Sequence, residues 1–169
     1  AIKTETVRQL KSYLGDVPVT IFDCDSLTAE GYVGDSISDI CSQIFANANG
    51  DMALAERSII CLDEVDKLAS RGNSVTDIAA QQSLLKFVEG GQFQFKVKEG
   101  GSKITMDTSF LTVIATGAFD GMLNSKNPIG YSSKSSKKEI DTAELNDKII
   151  KFGFLPEFVG RFHHKFMYK

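Results

Sequence analysis

The chain has 169 residues, which leaves room for a single domain with a sizeable core. Its hydrophobic share of 42%, charged share of 24% and net charge of −3 are ordinary for a globular protein, and they give no electrostatic footprint for nucleic acid or an anionic membrane. The absence of a membrane-length apolar run or a signal peptide, and three well-separated cysteines that predict reduced core thiols, together favour a cytoplasmic protein.

Hydrophobic spacing and turn residues predict helices and strands that alternate along the chain. The first half is expected to hold a helix over 4–14, a strand over 17–22, a helix from 35 or 36, a short helix over 52–56 and an apolar strand over 59–62. The second half is expected to hold a loop over 71–77, a helix over 79–89, a hairpin over 92–106, a strand over 110–115, a mobile loop over 132–138, a helix over 143–151 and a short strand over 164–168. This order predicts one α/β domain over 1–169, with a mainly parallel sheet flanked by helices and a β-hairpin insertion.

The apolar strand over 59–62 leads directly into two carboxylates, Asp63 and Glu64, and a third acid, Asp66, follows. A short apolar run of this kind is typical of a strand that is buried on both faces of a parallel sheet. Acids at the carboxyl end of such a strand stand where open α/β sheets bind ligands, and in nucleotide hydrolases they hold Mg²⁺ and polarise water. The alternative is a strand followed by an acidic helix start, because acids favour first turns.

Five blocks of sequence carry a family resemblance, in the family's order and with similar gaps. They are 27–35 (LTAEGYVGD), 58–67 (SIICLDEVDK), 81–90 (QQSLLKFVEG), 116–119 (TGAF) and 151–161 (KFGFLPEFVGR). Together they resemble the large AAA+ subdomain of the ClpX family, which has the P-loop NTPase fold. The resemblance implies an ATP-driven protein unfoldase, with ATP and Mg²⁺ as cofactors, that moves substrate proteins into a peptidase. It also implies partners: further copies of the chain in a homohexameric ring, a ClpP-like peptidase, and unfolded or tagged proteins, but no nucleic acid and no membrane.

The resemblance assigns the nucleotide site to four positions of this chain. Asp63 and Glu64 match the Walker B pair, in which the first acid orients Mg²⁺ and the second activates water. Lys3 and Thr4 match the end of the Walker A loop, where the lysine neutralises phosphate charge and the threonine hydroxyl ligates Mg²⁺. Read without the resemblance, Lys3 and Thr4 are only the start of a helix.

Four further positions take roles from the resemblance. Arg161 matches the arginine finger that reaches the γ-phosphate of a neighbouring subunit, although an isolated arginine is usually a surface residue. Thr116 matches the sensor-1 hydroxyl at the end of a strand beside the acidic one. Tyr32 and Val33, between two glycines, match the pore loop that grips substrate by apolar contact; the alternative is a tyrosine packed into the core.

The chain departs from the family pattern at its first residues and in its extent. Ile2 stands where the family has glycine, and the glycine-rich turn before Lys3 is not visible. The zinc-binding domain, the peptidase-docking loop and the small C-terminal subdomain with its sensor-2 arginine are not seen either. The chain is therefore expected to be a large subdomain truncated at its Walker A end, and to hydrolyse ATP poorly on its own.

Two rival functions stay open on the sequence. One is another AAA+ unfoldase, such as an HslU-like protein with a different peptidase. The other is a nucleotide-blind AAA+ remnant that acts as an interaction module, in which Ile2 marks a lost P-loop. The presence of Asp63, Glu64 and Arg161 together argues against a remnant, since decay has no reason to spare all three.

Overall fold

The computed structural model describes residues 2–28, 36–69, 75–97, 101–122 and 141–167. The helices of this part are α1 (Ile2–Tyr13), α2 (Ile37–Asn47), α3 (Met52–Ala55), α4 (Val75–Glu89), α5 (Thr142–Phe152) and α6 (Pro156–Arg161). Its strands are β1 (Val19–Asp23), β2 (Ile59–Asp63), β3 (Gln92–Lys96), β4 (Lys103–Asp107) and β5 (Thr112–Ala115). Within these ranges, no helix has both the length and the apolar character needed to cross a membrane.

A three-stranded parallel sheet forms the centre of the described fold, with the strand order β1-β2-β5. The central strand β2 carries Ile60, Cys61 and Leu62, all of which are completely buried. A strand that is covered on both faces needs apolar residues on both sides, which explains the uninterrupted apolar run. The predicted α/β class, with helices flanking a parallel sheet, is confirmed.

Helices cover the two faces of this sheet unequally. Val7 of α1 packs with Val19 and Cys61 on one face, in a small cluster. The larger core lies on the other face and contains residues such as Ile60 and Leu62 of β2. Because successive strand residues point to opposite faces, Asp63 shares the α1 face with Cys61. The cysteines at positions 24, 41 and 61 are all free and buried, as the sequence predicts.

Strands β3 and β4 form the predicted antiparallel hairpin as a separate two-stranded sheet. Its apolar face enters the main core through the buried side chains of Phe95 and Met106. The ring of Phe95 meets Phe45 of α2 edge-on, with 5.7 Å between ring centroids. Thr108 ties the base of the hairpin to the end of α4, because its hydroxyl donates to the carbonyl of Phe87 at 2.9 Å.

Several predictions of secondary structure need correction. The buried strand expected over 110–115 begins only at Thr112, and Phe110 lies in a turn with its side chain exposed. The prediction of a short strand over 164–168 is wrong for residues 164–167, which form no strand and pair with neither sheet. Residue 168 lies outside the described residues. Helix α4 begins at Val75, so the end of the loop expected over 71–77 is helical. The sequence analysis did not predict helix α6. Pro156 is its first residue, a position where the fixed φ of proline suits a helix and where a backbone N–H has no partner within the helix. The loop expected over 132–138 lies outside the described residues.

Candidate functional site

The carboxyl edge of the parallel sheet brings together polar residues from all three strands. Asp23 ends β1 and Asp63 ends β2, and the two are register partners on the same face. Leu62 pairs with Ala115 of β5, which places Thr116, the next residue, beside Asp63. The edge of the sheet expected to bind a ligand therefore carries two carboxylates and a hydroxyl.

Thr116 and Asp63 are in direct contact. The Thr116 hydroxyl donates a hydrogen bond to Asp63 Oδ1 at 2.6 Å, and both residues are half-buried. The backbone supports this pair, because the Thr116 N–H donates to the carbonyl of Leu62 at 2.8 Å and so continues the ladder beyond β5. The structure thus joins two of the predicted site residues, and it fixes the orientation of the Asp63 carboxylate.

Glu64 occupies a left-handed backbone conformation immediately after β2. Its φ of 52° and ψ of 35° cost a non-glycine residue about 1–2 kcal/mol. Two hydrogen bonds hold the turn: the Glu64 N–H donates to Asp63 Oδ1 at 3.0 Å, and the Val65 N–H donates to the Thr116 carbonyl at 2.9 Å. The turn takes Glu64 out of the strand and leaves it exposed at the same edge as Asp63.

Asp66, the third acid of the run, is buried and contacts the backbone just after the end of β5. Its Oδ1 accepts a hydrogen bond from the Ala118 N–H at 3.1 Å. Gly117 lies between Thr116 and Ala118, and a Cβ on Gly117 would stand 2.6 Å from Asp66 Oδ1. Only glycine therefore fits next to Thr116. The sequence shows Asp66 as a third acid but gives no sign of this contact.

Cys61 lies just below the site, with its Sγ 4.0 Å from the Thr116 hydroxyl oxygen. Burial raises the pKa of the Cys61 thiol to about 11, although the hydrogen bond with Thr116 acts in the opposite direction. The thiol is therefore protonated at neutral pH. It acts as a small apolar side chain in the wall of the site.

Helix α1 packs on the face of the sheet that carries Asp63. Val7 packs on Cys61, and Lys3 and Thr4 lie one turn earlier on the helix backbone, toward its N-terminus. The start of α1 is therefore on the face that Asp63 shares. The side chains of Lys3 and Thr4 lie outside the described residues, and so do Tyr32 and Val33.

The chemistry of this edge fits a magnesium-bound nucleotide. Carboxylate oxygens such as those of Asp63, which the Thr116 hydroxyl orients, are hard ligands of the type that Mg²⁺ prefers. The paired ends of β1 and β2 place the acids Asp23 and Asp63 on adjacent strands, and a cation would offset their repulsion. The N-terminus of a helix such as α1 favours phosphate, because its N–H groups and dipole point toward the anion.

Arg161 lies apart from these acids, at the last position of α6. Its guanidinium forms an ion pair with Glu89, the last residue of α4, and half of the Arg161 side chain is exposed. Among the described residues, the charged partner of Arg161 is Glu89 of α4 and neither Asp63 nor Glu64. The structure therefore does not bring Arg161 to Asp63 and Glu64 of its own chain.

The segment that leads into α6 is held by a buried glutamine that the sequence reasoning missed. The Gln81 side chain is completely buried and bonds to Leu68, Gly153 and Leu155. Gly153 has a φ of 125°, which only glycine adopts without strain, and Leu155 is the N-cap of α6. The sequence gives no signal for this role, since Gln81 and the exposed Gln82 are the same residue type side by side.

The chain matches a protein-family model. The model of the AAA domain (Cdc48 subfamily) matches residues 1–165, which is nearly the whole sequence.

Several curated proteins are similar over most of the chain, and each is called "ATP-dependent Clp protease ATP-binding subunit ClpX". The protein of Borrelia duttonii (strain Ly) is 37% identical over 94% of this chain and 42% of its own length. The protein of Azotobacter vinelandii is 37% identical over 95% and 41%, and that of Treponema denticola is 35% identical over 86% and 40%. The chain therefore spans about two-fifths of the length of the curated relatives it matches.

Proposed function

Since this chain belongs to the AAA domain family and is a ClpX-like AAA+ domain, we propose that it is the ATP-hydrolysing core of a protein unfoldase. The observation that carries the proposal is the hydrogen bond from Thr116 to Asp63, next to the exposed Glu64. This arrangement puts an oriented carboxylate, a hydroxyl and a solvent-facing acid at one edge of a parallel sheet. The phosphate end of ATP requires groups of these kinds.

In this proposal each residue of the sheet edge has a distinct task. Asp63 and Thr4 would hold Mg²⁺, which neutralises phosphate charge when it is bound. Thr116 keeps the Asp63 carboxylate oriented, because its hydroxyl occupies Oδ1. Glu64 accepts a proton from the attacking water, which is free to approach from the solvent side. Lys3 binds the β- and γ-phosphates.

The remaining parts of the function lie between subunits. Arg161 is half-exposed, so it can leave Glu89 and reach a nucleotide held by a neighbouring copy. An arginine that serves the next copy fits a closed ring of subunits, which we propose to be a homohexamer in the cytoplasm. Tyr32 and Val33 would grip a tagged or unfolded substrate and pass it to a ClpP-like peptidase, in keeping with the names of the relatives.

The proposal is tested by titrating the intact protein with a fluorescent ATP analogue in the presence of Mg²⁺. We expect saturable binding that Lys3→Ala weakens by at least tenfold, because the substitution removes the positive charge that faces the phosphates. Lys11→Ala is the matched control, since Lys11 is an exposed lysine in the last turn of the same helix and should not alter binding.

Two outcomes of this titration would count against the proposal. An absence of binding by the intact protein would favour a nucleotide-blind AAA+ module. Equal affinities of the Lys3→Ala and Lys11→Ala proteins would show that Lys3 does not contact phosphate.

Tyr32→Ala is expected to slow the unfolding of a tagged substrate protein by the intact protein at least tenfold, while ATP turnover changes less than twofold. The aromatic ring supplies the apolar grip on substrate, and alanine keeps the backbone but removes that contact area. Unfolding would be followed through the fluorescence of a substrate that loses its signal when unfolded. Tyr13→Ala is the control, because Tyr13 is an exposed tyrosine on α1. Equal unfolding rates for the two variants would remove Tyr32 from the substrate path.

A further inference from the structure

Gln81 makes three hydrogen bonds from a completely buried position on α4. Its side-chain Nε2 donates to the carbonyl of Leu68 at 2.8 Å and to that of Gly153 at 3.0 Å. Its Oε1 accepts from the N–H of Leu155 at 2.9 Å. An amide can satisfy two acceptors and one donor at once, which no other side chain of this size can do.

The three partners of Gln81 belong to the two segments that carry the proposed catalytic groups. Leu68 is the last residue of a short 3₁₀ turn, Val65–Leu68, which follows Asp63 and Glu64. Leu155 is the N-cap of α6, the helix that ends at Arg161. Gln81 therefore connects the segment after the catalytic acids of one chain to the helix that presents its arginine.

Helix α6 is fixed to α4 at both of its ends. At its start the N–H of Leu155 bonds to Gln81, and at its end Arg161 pairs with Glu89. Gln81 and Glu89 are eight residues apart on α4, a distance of about 12 Å along the helix axis. Phe158 and Val159, which lie between these two attachments in sequence, are buried in the main core. The arginine end can then detach from Glu89 while the Gln81 end stays in place.

We infer that Gln81 is a positioning residue that sets where Arg161 can reach, and that it acts through the N-terminus of α6. The inference rests on the proposed function, in which Arg161 serves the nucleotide of a neighbouring subunit. If the Leu155 end of α6 loses its hydrogen bond, the helix can shift on α4, and a displacement of about 1 Å at Arg161 can cost about a hundredfold in rate. The defect should appear in the neighbouring subunit rather than in the one that carries the substitution.

Gln81→Met tests this role with little change in side-chain size. Methionine keeps the length and volume of glutamine, but it leaves the Leu68 and Gly153 carbonyls and the Leu155 N–H without their amide partner. Gln82→Met is the matched control, because it introduces the same side chain at the exposed neighbouring position.

The decisive experiment mixes subunits of the intact protein. Wild-type subunits are combined with an excess of subunits that carry Glu64→Gln, whose own turnover is measured separately and subtracted. In parallel mixtures the inactive subunits also carry Gln81→Met, Gln82→Met or Arg161→Ala. The rate of ATP hydrolysis per wild-type subunit is then measured, so that every difference reports on the neighbour's contribution.

We expect Gln81→Met in the inactive subunit to lower the rate of its wild-type neighbours about tenfold, and Gln82→Met to leave that rate unchanged. Equal rates with the Gln81→Met and Gln82→Met partners, in the presence of a clear Arg161→Ala effect, would overturn the inference alone. No effect of Arg161→Ala either would overturn both the inference and the proposed role of Arg161. Residual turnover by Glu64→Gln subunits alone would instead contradict the role proposed for Glu64.

A second comparison separates positioning from a general loss of folding. In subunits that keep Glu64, Gln81→Met and Arg161→Ala are combined and compared with each single substitution. If Gln81 acts through Arg161, the double variant loses no more activity than Arg161→Ala alone, whereas independent damage would add. Should Gln81→Met fail to assemble, Gln81→Asn replaces it. Asparagine keeps a polar amide in the site but is one methylene shorter, so it does not reach the Leu155 N–H as glutamine does. The same non-additivity is expected, and additive losses would overturn the inference.

Discussion

Glu64→Gln is expected to lower ATP hydrolysis by the intact protein by about 10²–10⁴-fold, while its affinity for ATP stays close to that of the wild type. Glutamine has the shape of glutamate but cannot accept the proton of the attacking water. The substitution should not disturb the turn, because the hydrogen bonds that hold it join backbone groups of Glu64 and Val65 to Asp63 and Thr116. The loss therefore falls on the chemical step and not on binding.

This expectation is checked by measuring phosphate release and ATP-analogue binding on the same preparations. Glu144→Gln provides the control, since Glu144 is an exposed glutamate on α5 whose ion pair with Lys148 contributes only about 0.3–0.5 kcal/mol. Turnover by the Glu64→Gln protein within tenfold of the control would remove Glu64 from the role of base. A loss of binding as large as the loss of turnover would show that Glu64 acts in holding the nucleotide.

The sequence predicted the sheet well because its signals are strong and local. In β2 a run of apolar residues is followed directly by Asp63, which is a distinctive pattern. The burial of this strand follows from its apolar residues, and its parallel pairing follows from the alternation of strands and helices along the chain. The contact between Thr116 and Asp63 also follows from two correct strands, since adjacent parallel strands bring their carboxyl ends together.

The sequence did not predict the segments whose shape depends on distant partners. Helix α6 has only six residues and contains Gly160 near its end, so no helical period could be recognised. Its position depends on Gln81, which lies more than seventy residues earlier in the chain. Likewise, the left-handed turn at Glu64 is held by Thr116 from another strand, and nothing in the local sequence requires a positive φ there.

The sequence predicted a role for Asp63 but none for Asp66, because the contact that Asp66 makes is buried and comes from another part of the chain. Asp63 is the last residue of β2 and remains half-buried at the edge, whereas Asp66, three residues later, turns inward to the Ala118 N–H. Asp66 lies within the 3₁₀ turn Val65–Leu68, which begins directly after Glu64, and sequence spacing does not reveal such a turn. The family resemblance includes the position of Asp66, but it does not show that its side chain contacts Ala118.

Gly117→Ala is expected to destabilise the domain by about 1–3 kcal/mol, the usual cost of forcing a methyl group into a packed site. A Cβ at this position would lie 2.6 Å from Asp66 Oδ1 and 2.8 Å from a ring carbon of Phe119. Neither neighbour can move freely. Asp66 is bonded to the Ala118 N–H, and the Phe119 ring packs against Phe152 with 5.5 Å between centroids.

The Gly117→Ala strain should also reach the nucleotide site, because Gly117 directly follows Thr116. We expect thermal unfolding, followed by circular dichroism, to show a Tm lowered by about 2–4 °C for each kcal/mol, and phosphate release to fall in parallel. Gly160→Ala is the control: nothing lies within 4 Å of the position that a Cβ would take there, and alanine in a helix should keep or raise stability by up to about 1 kcal/mol. If Gly117→Ala unfolds at the same temperature as Gly160→Ala, the strand end is not packed against Asp66. If stability falls but turnover does not, the geometry of Thr116 is not needed for hydrolysis, and the proposed role of its hydroxyl fails with it.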